Sequence, residues 1–103
     1  MVEAKFALGQ LVVHELYSYR GVIVDVDACF SLSDDWYQRM ALSRPAKQQP
    51  WYLLLVNNSS LQTYVAEQHL LAESEPKQIS HPLLNSLLGQ FQHGSYGLLA
   101  KTN

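Results

Sequence analysis

The chain has 103 residues, 48% hydrophobic, 16% charged and 11% aromatic, and a formal net charge of −2. That length fits a single domain with a small core, and the apolar content excludes an intrinsically disordered chain. The longest uncharged apolar run, Trp51–Val56, is far short of the ~20 residues of a spanning helix, and the weak negative charge is unlike that of a generic nucleic-acid coat.

In chain order, Lys5-Phe6-Ala7-Leu8-Gly9-Gln10 reads as a turn in which Gly9 takes a positive φ, and it feeds a first strand at Leu11–His14. Glu15 to Tyr19 reads as a loop carrying Tyr17 and Tyr19. Arg20–Asp27 is the clearest strand. Its alternation places Val22, Val24 and Val26 on one face and Ile23, Asp25 and Asp27 on the other, the pattern of a half-buried antiparallel strand. Between Ala28 and Pro50 the composition changes. Ser33-Asp34-Asp35 reads as a helix N-cap, Trp36 to Leu42 as about two helical turns, and Pro45 as their stop. Three of the chain's seven cations, Arg39, Arg44 and Lys47, fall here. A loop of this length in a small β domain marks function or disorder.

Trp51–Val56 is apolar on both faces and reads as a central strand. Asn57-Asn58-Ser59-Ser60 is a hairpin turn, and Leu61–Ala66 returns as its partner. Glu67–Leu70 is a short turn leading to an edge strand near Leu71, and Ser74–Gln78 is a polar connector. Ser80-His81-Pro82 opens a C-terminal helix with Ser80 as cap and an apolar stripe of Leu84, Leu87, Leu88 and Phe91. Gly94 ends it, and the tail to Asn103 is expected to be loose. The expected fold is mainly β: a small five-stranded antiparallel barrel with a short helix in the middle loop and a C-terminal helix. The barrel domain spans 1–73, and the helix and tail span 74–103.

Few residues form a chemical constellation. Asp25 and Asp27 share a strand face, with Glu67 near them. Such carboxylates do acid–base work or hold a cation, or accept hydrogen bonds from loop backbone at a barrel rim. His14, His69, His81 and His93 are scattered, without metal-ligand spacing. Cys29, the one cysteine, forms no internal disulfide and reads as a small apolar residue. Trp51 and Tyr64 read as core, and Tyr17, Tyr19, Trp36 and Tyr37 as loop aromatics. Tyr19 beside Arg20, and Trp36 beside Arg39, make aromatic–basic patches suited to a nucleic-acid groove or a protein partner. No phosphate-cradling loop, nucleophile elbow or cofactor motif is present, so a non-enzymatic protein without cofactor or metal is expected. With no apolar leader after Met1-Val2-Glu3-Ala4-Lys5, the expected compartment is the cytoplasm.

The run from Lys5 to Gln10, then His14, then Tyr19-Arg20-Gly21-Val22-Ile23-Val24-Asp25-Val26-Asp27, resembles the YccV-like family, which includes the heat shock protein HspQ. Pro50-Trp51-Tyr52, Thr63-Tyr64-Val65-Ala66-Glu67 and Leu70 are similar to its second half. His81-Pro82-Leu83-Leu84 through Phe91 and Tyr96 is similar to the tail of some bacterial members. The chain departs from the family at Leu53, where His is common, and at Ser18, where Gly is frequent. The resemblance implies a Src-homology-3-like barrel, affinity for hemimethylated double-stranded DNA, and a stress-linked role in limiting expression of a replication initiator, with possible nucleoid association. It also implies a homo-oligomer, expected to be a trimer, and an alternative role as specificity factor or substrate of a Lon-type ATP-dependent protease. On the DNA reading, the candidate contacts are Tyr19, Arg20, Trp36, Arg39, Arg44 and Lys47, while His14, Asp25, Asp27 and Glu67 are polar residues of the rim. On the protease reading, Tyr96 to Asn103 is the candidate recognition tail, removable without unfolding the barrel.

Overall fold

The computed structural model describes residues 3–99. Five strands, β1 (Leu11–His14), β2 (Arg20–Asp27), β3 (Trp51–Val56), β4 (Gln62–Ala66) and β5 (Leu70–Ala72), form one antiparallel sheet in the order β4-β3-β2-β1-β5. The five expected strands are all present, but the sheet is not closed: β4 and β5 are its two ends, and no ladder joins them. The helix α1 (Asp34–Met40) starts where the sequence places its cap, and Ser33 Oγ accepts the N–H of Trp36 at 3.1 Å. A single 3-10 turn, Glu67–His69, links β4 to β5.

The simple alternation expected for β2 is broken. The β2–β3 register shifts between Ile23 and Asp25, so Val24 sits at a bulge. Val22 and Val24 pack into one cluster with Leu11 and Leu55, whereas Ile23 and Val26 pack into the other with Val12, Tyr52, Leu54, Val65 and Leu70. One strand thereby supplies apolar side chains to both faces of the sheet, and Asp25 is left exposed.

The C-terminal helix is corrected. Only Leu84–Leu87 is helical (α2), and the chain then forms a hairpin of β6 (Leu88–Gln92) and β7 (Ser95–Leu98). Three local terms defeat the helical stripe. Gly89 costs a helix interior about 1 kcal/mol relative to Ala. Ser80 does not cap, because α2 begins after Leu83 with no side-chain cap at all. His93 and Gly94 both take positive φ, 53° and 83°, which makes the two-residue turn that suits strand twist. Leu88 and Tyr96 enter the same cluster as Leu11, Val22 and Leu55, Phe91 packs edge-on against Tyr96 at 5.1 Å, and Leu87 of the expected stripe stays exposed. The expected loose segment is therefore strand as far as Leu98. Tyr96, only 5% exposed, belongs to the core, so a deletion starting there removes core rather than tail. Ala100 to Asn103 of that tail lie outside the described residues.

Gly9 fixes this hairpin. Its N–H donates to Ile23 O, its carbonyl accepts from Tyr96 N (both 2.8 Å), and a Cβ at its φ of +85° would lie 1.9 Å from Tyr96 O. Gly9→Ala is expected to destabilise the fold by about 2–4 kcal/mol in urea denaturation, with faster exchange of the Tyr96 amide. Ser18 takes a φ of 60° in the β1–β2 turn, a region that costs a non-glycine residue about 1–2 kcal/mol. Ser18→Gly is expected to raise the thermal midpoint by a few degrees, since part of that relief is offset by the greater unfolded-state freedom of glycine.

Candidate functional site

The middle segment is a packed aromatic unit. Phe30, Trp36, Tyr37 and Tyr64 surround Trp51, which is 1% exposed. Trp51 stacks on Tyr64 at 5.3 Å and meets Phe30 edge-on at 5.0 Å. Trp51 is core, as its sequence context indicates, while Tyr64 is only half-buried. The Tyr37 hydroxyl donates to Pro45 O at 2.7 Å, and Phe30 N donates to Lys47 O at 2.9 Å, so the loop after α1 is tied back at two points.

The four candidate cations all have partners within the chain. Arg44 donates to the carbonyls of Ala41 (2.6 Å) and Tyr37 (3.3 Å), which makes it the C-terminal cap of α1. Arg20 pairs with Glu73 (2.7 Å) and donates to Lys77 O (2.6 Å), which ties β2 to the segment after β5. Lys47 lies 4.6 Å from the centre of the Tyr37 ring and 2.7 Å from Asp34, and its ammonium holds the Asp34 carboxyl below its usual range. Arg39 pairs with Asp35 across one helical turn at 3.2 Å, with both side chains largely exposed. Arg39 and Lys47 are thus held only by exposed carboxylates, whereas Arg20 and Arg44 are built into the fold. Of the two candidate aromatics, Tyr19 shares a 2.8 Å hydrogen bond with Thr63 of β4, and Trp36 meets Tyr64 edge-on at 5.6 Å.

The rim carboxylates take different partners. Asp27 accepts from the hydroxyls of Ser31 and Tyr64, which pull its carboxyl below the usual range. Glu67 accepts from Lys5 N (2.6 Å) and from the Tyr52 hydroxyl (3.0 Å), and burial first, then this carboxylate, pushes the Tyr52 phenol up to about 12. Asp25 bonds the N–H of Val26. Among the described residues no three His, Cys, Asp or Glu side chains converge as a metal site. Cys29 is exposed, contrary to its reading as an ordinary packed residue.

Sequence reading missed the main concavity. A groove of about 450 Å³ runs along β4, and its far wall is formed by Leu32, Met40 and Leu42, which flank or end α1 and are 43%, 62% and 72% exposed. Tyr19 and Trp36 line it, but none of Arg20, Arg39, Arg44 and Lys47 does, and no Asp, Glu, Lys or Arg is among its lining residues. The only signal in sequence was the run of unpatterned apolar residues around the middle helix. One end of the groove holds a relay: Ser43 Oγ shares a 2.7 Å hydrogen bond with His69 Nε2, and His69 Nδ1 lies 3.3 Å from Glu15. Arg44 N, next to Ser43, already donates to Ala41 O, so it does not serve as an oxyanion donor, and the relay works as a clasp between the α1 loop and the 3-10 turn.

His14 is the buried member of this end. Its Nδ1 accepts the N–H groups of Leu16 (3.1 Å) and Tyr17 (3.2 Å), and its ring stacks on Tyr17 and His69. Burial lowers its pKa below the usual 6.5, His69 lowers it further, and Glu15 opposes both. The unfolded chain therefore binds more protons than the folded one just below pH 6.5. The stability carried by neutral His14 is complete above 6.5 and is lost as pH falls through the folded pKa. The thermal midpoint is expected to drop as pH is lowered from about 7 to about 5. His14→Asn, which keeps an acceptor for the same two amides without titrating there, is expected to flatten that slope.

The sequence model of the YccV-like family, described as hemimethylated DNA-binding protein YccV like, matches residues 4–95.

Proposed function

Because this chain belongs to the YccV-like, hemimethylated-DNA-binding family, we propose that it is a non-enzymatic regulator that binds duplex DNA methylated on one strand, acting on expression of a replication initiator under stress. The family match over residues 4–95 carries this reading. Within it, Arg39 and Lys47 are the phosphate contacts, because their present partners, Asp35 and Asp34, are exposed carboxylates and exposed ion pairs yield readily to competing anions. Trp36 lies one helical turn before Arg39 and supplies the apolar contact that an N6-methyl group in the major groove requires. Arg20 and Arg44 shape the surface without leaving their carbonyl and carboxylate partners. Two such cations per chain give weak binding, so a homotrimer, which triples them on one DNA, is the active form.

A second reading, a module that engages an ATP-dependent protease as specificity factor or substrate, is supported by the exposed apolar residues Leu32, Met40 and Leu42. On either reading the protein acts in the cytoplasm, and no helix among the described residues is long and apolar enough to cross a membrane.

Titration with hemimethylated, fully methylated and unmethylated duplexes at two salt concentrations tests the DNA reading. The hemimethylated duplex is expected to bind tightest. The Arg39→Ala/Lys47→Ala variant is expected to lower the salt slope by about 1.8, at ~0.9 per phosphate lost. Equal affinity for the three duplexes, or an unchanged slope in the variant, overturns it.

A further inference from the structure

We propose that the open edge of β4, with the groove beside it, docks an extended, uncharged apolar segment of another polypeptide, which adds to the sheet as a sixth strand. In an antiparallel ladder, alternate residues bond to a given neighbour and the rest point away. Val56 N donates to Leu61 O and Glu67 N donates to Pro50 O, so in the β3–β4 register Leu54↔Thr63 and Tyr52↔Val65 are the bonded pairs. The N–H and C=O groups of Gln62 and Tyr64 therefore face outward, and β4 ends the sheet, with no acceptor or donor for them among the described residues. A free strand edge is a template for pairing. All five β4 residues line the groove, and Leu32, Met40 and Leu42 face them from across it. This is the geometry of strand addition, in which backbone bonds at the edge give affinity and alternate side chains fill an apolar wall.

The lining also defines the occupant. Without a charged residue in the groove, a phosphate or a charged side chain would be desolvated with no counter-ion, whereas an uncharged apolar strand loses nothing. Trp51 lines the same groove, and its indole N–H has no acceptor among the described residues, a deficit that a segment bringing backbone carbonyls is suited to relieve. The site uses none of the four middle-segment and β2 cations, so it stands apart from the DNA reading and survives the failure of that reading.

The probe is a fluorescein-labelled, end-blocked heptapeptide of alternating Thr and Val, compared with the same peptide N-methylated at alternate residues. Anisotropy gives the affinity, and amide exchange of the full chain gives the site. Saturable binding is expected, with slowed exchange at Gln62 and Tyr64 and affinity lower by about tenfold or more for the N-methylated peptide. A comparable loss is expected for Met40→Glu/Leu42→Glu, two exposed positions whose replacement leaves the circular dichroism spectrum unchanged. The Arg39→Ala/Lys47→Ala variant is expected to bind the peptide normally. No saturable binding up to about 1 mM, or equal affinity of both peptides, overturns the proposal. So does protection of Gln62 and Tyr64 in the free protein that disappears on dilution, which would assign the edge to a second copy of this chain.

Discussion

The contact between Gly9 and Tyr96 is the constraint on which the remaining architecture rests. At this point the N-terminal turn, β2 and the C-terminal hairpin meet through two backbone hydrogen bonds, and the backbones are too close for any side chain at position 9. Ile79, Leu88 and Tyr96 are thereby laid over Leu11, Val22 and Leu55. Each fully buried side chain of this kind contributes roughly 1.5–3 kcal/mol of transfer free energy, so the face is sealed by residues some 70 positions from those they cover. The Tyr96 hydroxyl extends the seal by accepting Ile79 N at 3.1 Å, which fixes the end of the polar connector as well.

The opposite end of the sheet is covered in a different way. There α1 and its loop form an aromatic unit around Trp51, stitched by Lys47, Arg44 and the Tyr37 hydroxyl. Most of the chain's few cations serve this stitching or the tie between β2 and Glu73. A net charge of −2 is therefore only part of the difficulty for a DNA-binding protein, since the positive charge present is largely engaged. The same arrangement separates two surfaces: the exposed ion pairs of α1 and its loop on one side, and an uncharged apolar groove beside β4 on the other.

The five strands, the Ser33 cap and the turn at Gly9 were legible in the sequence, because each depends on neighbours within a few residues: alternating valines, a serine before two aspartates, a glycine before a β-branched run. The C-terminal hairpin was not. Leu84, Leu87, Leu88 and Phe91 fit a helical period, and only the pairing of Phe91 with Tyr96 and the contact of Tyr96 with Gly9 select the strand; neither long-range contact is written in local spacing. The bulge at Val24 escaped for the same reason, since it answers to β3 and not to β2 alone. Among the candidate site residues, the sequence identified the basic stretch but not its engagement. Asp34 and Asp35 were read as a helix start, and they are also the counter-ions of Lys47 and Arg39.

The bulge in β2 has a further bearing on how the chain reaches its fold. A strand that is apolar toward both sides has no wet face to betray a wrong alignment, and hydrophobic pattern alone fixes its register weakly. Here shape takes over. At Gly21 a Cβ would lie 2.9 Å from Leu55 O, so a slip of one residue would bring Val22 or Arg20 to a place with no room for a side chain, and would carry Asp25 to the bulge position now held by Val24. The collapsed chain thus meets few alternative alignments of comparable energy, and its search among compact states narrows toward one pairing of β2 with β3.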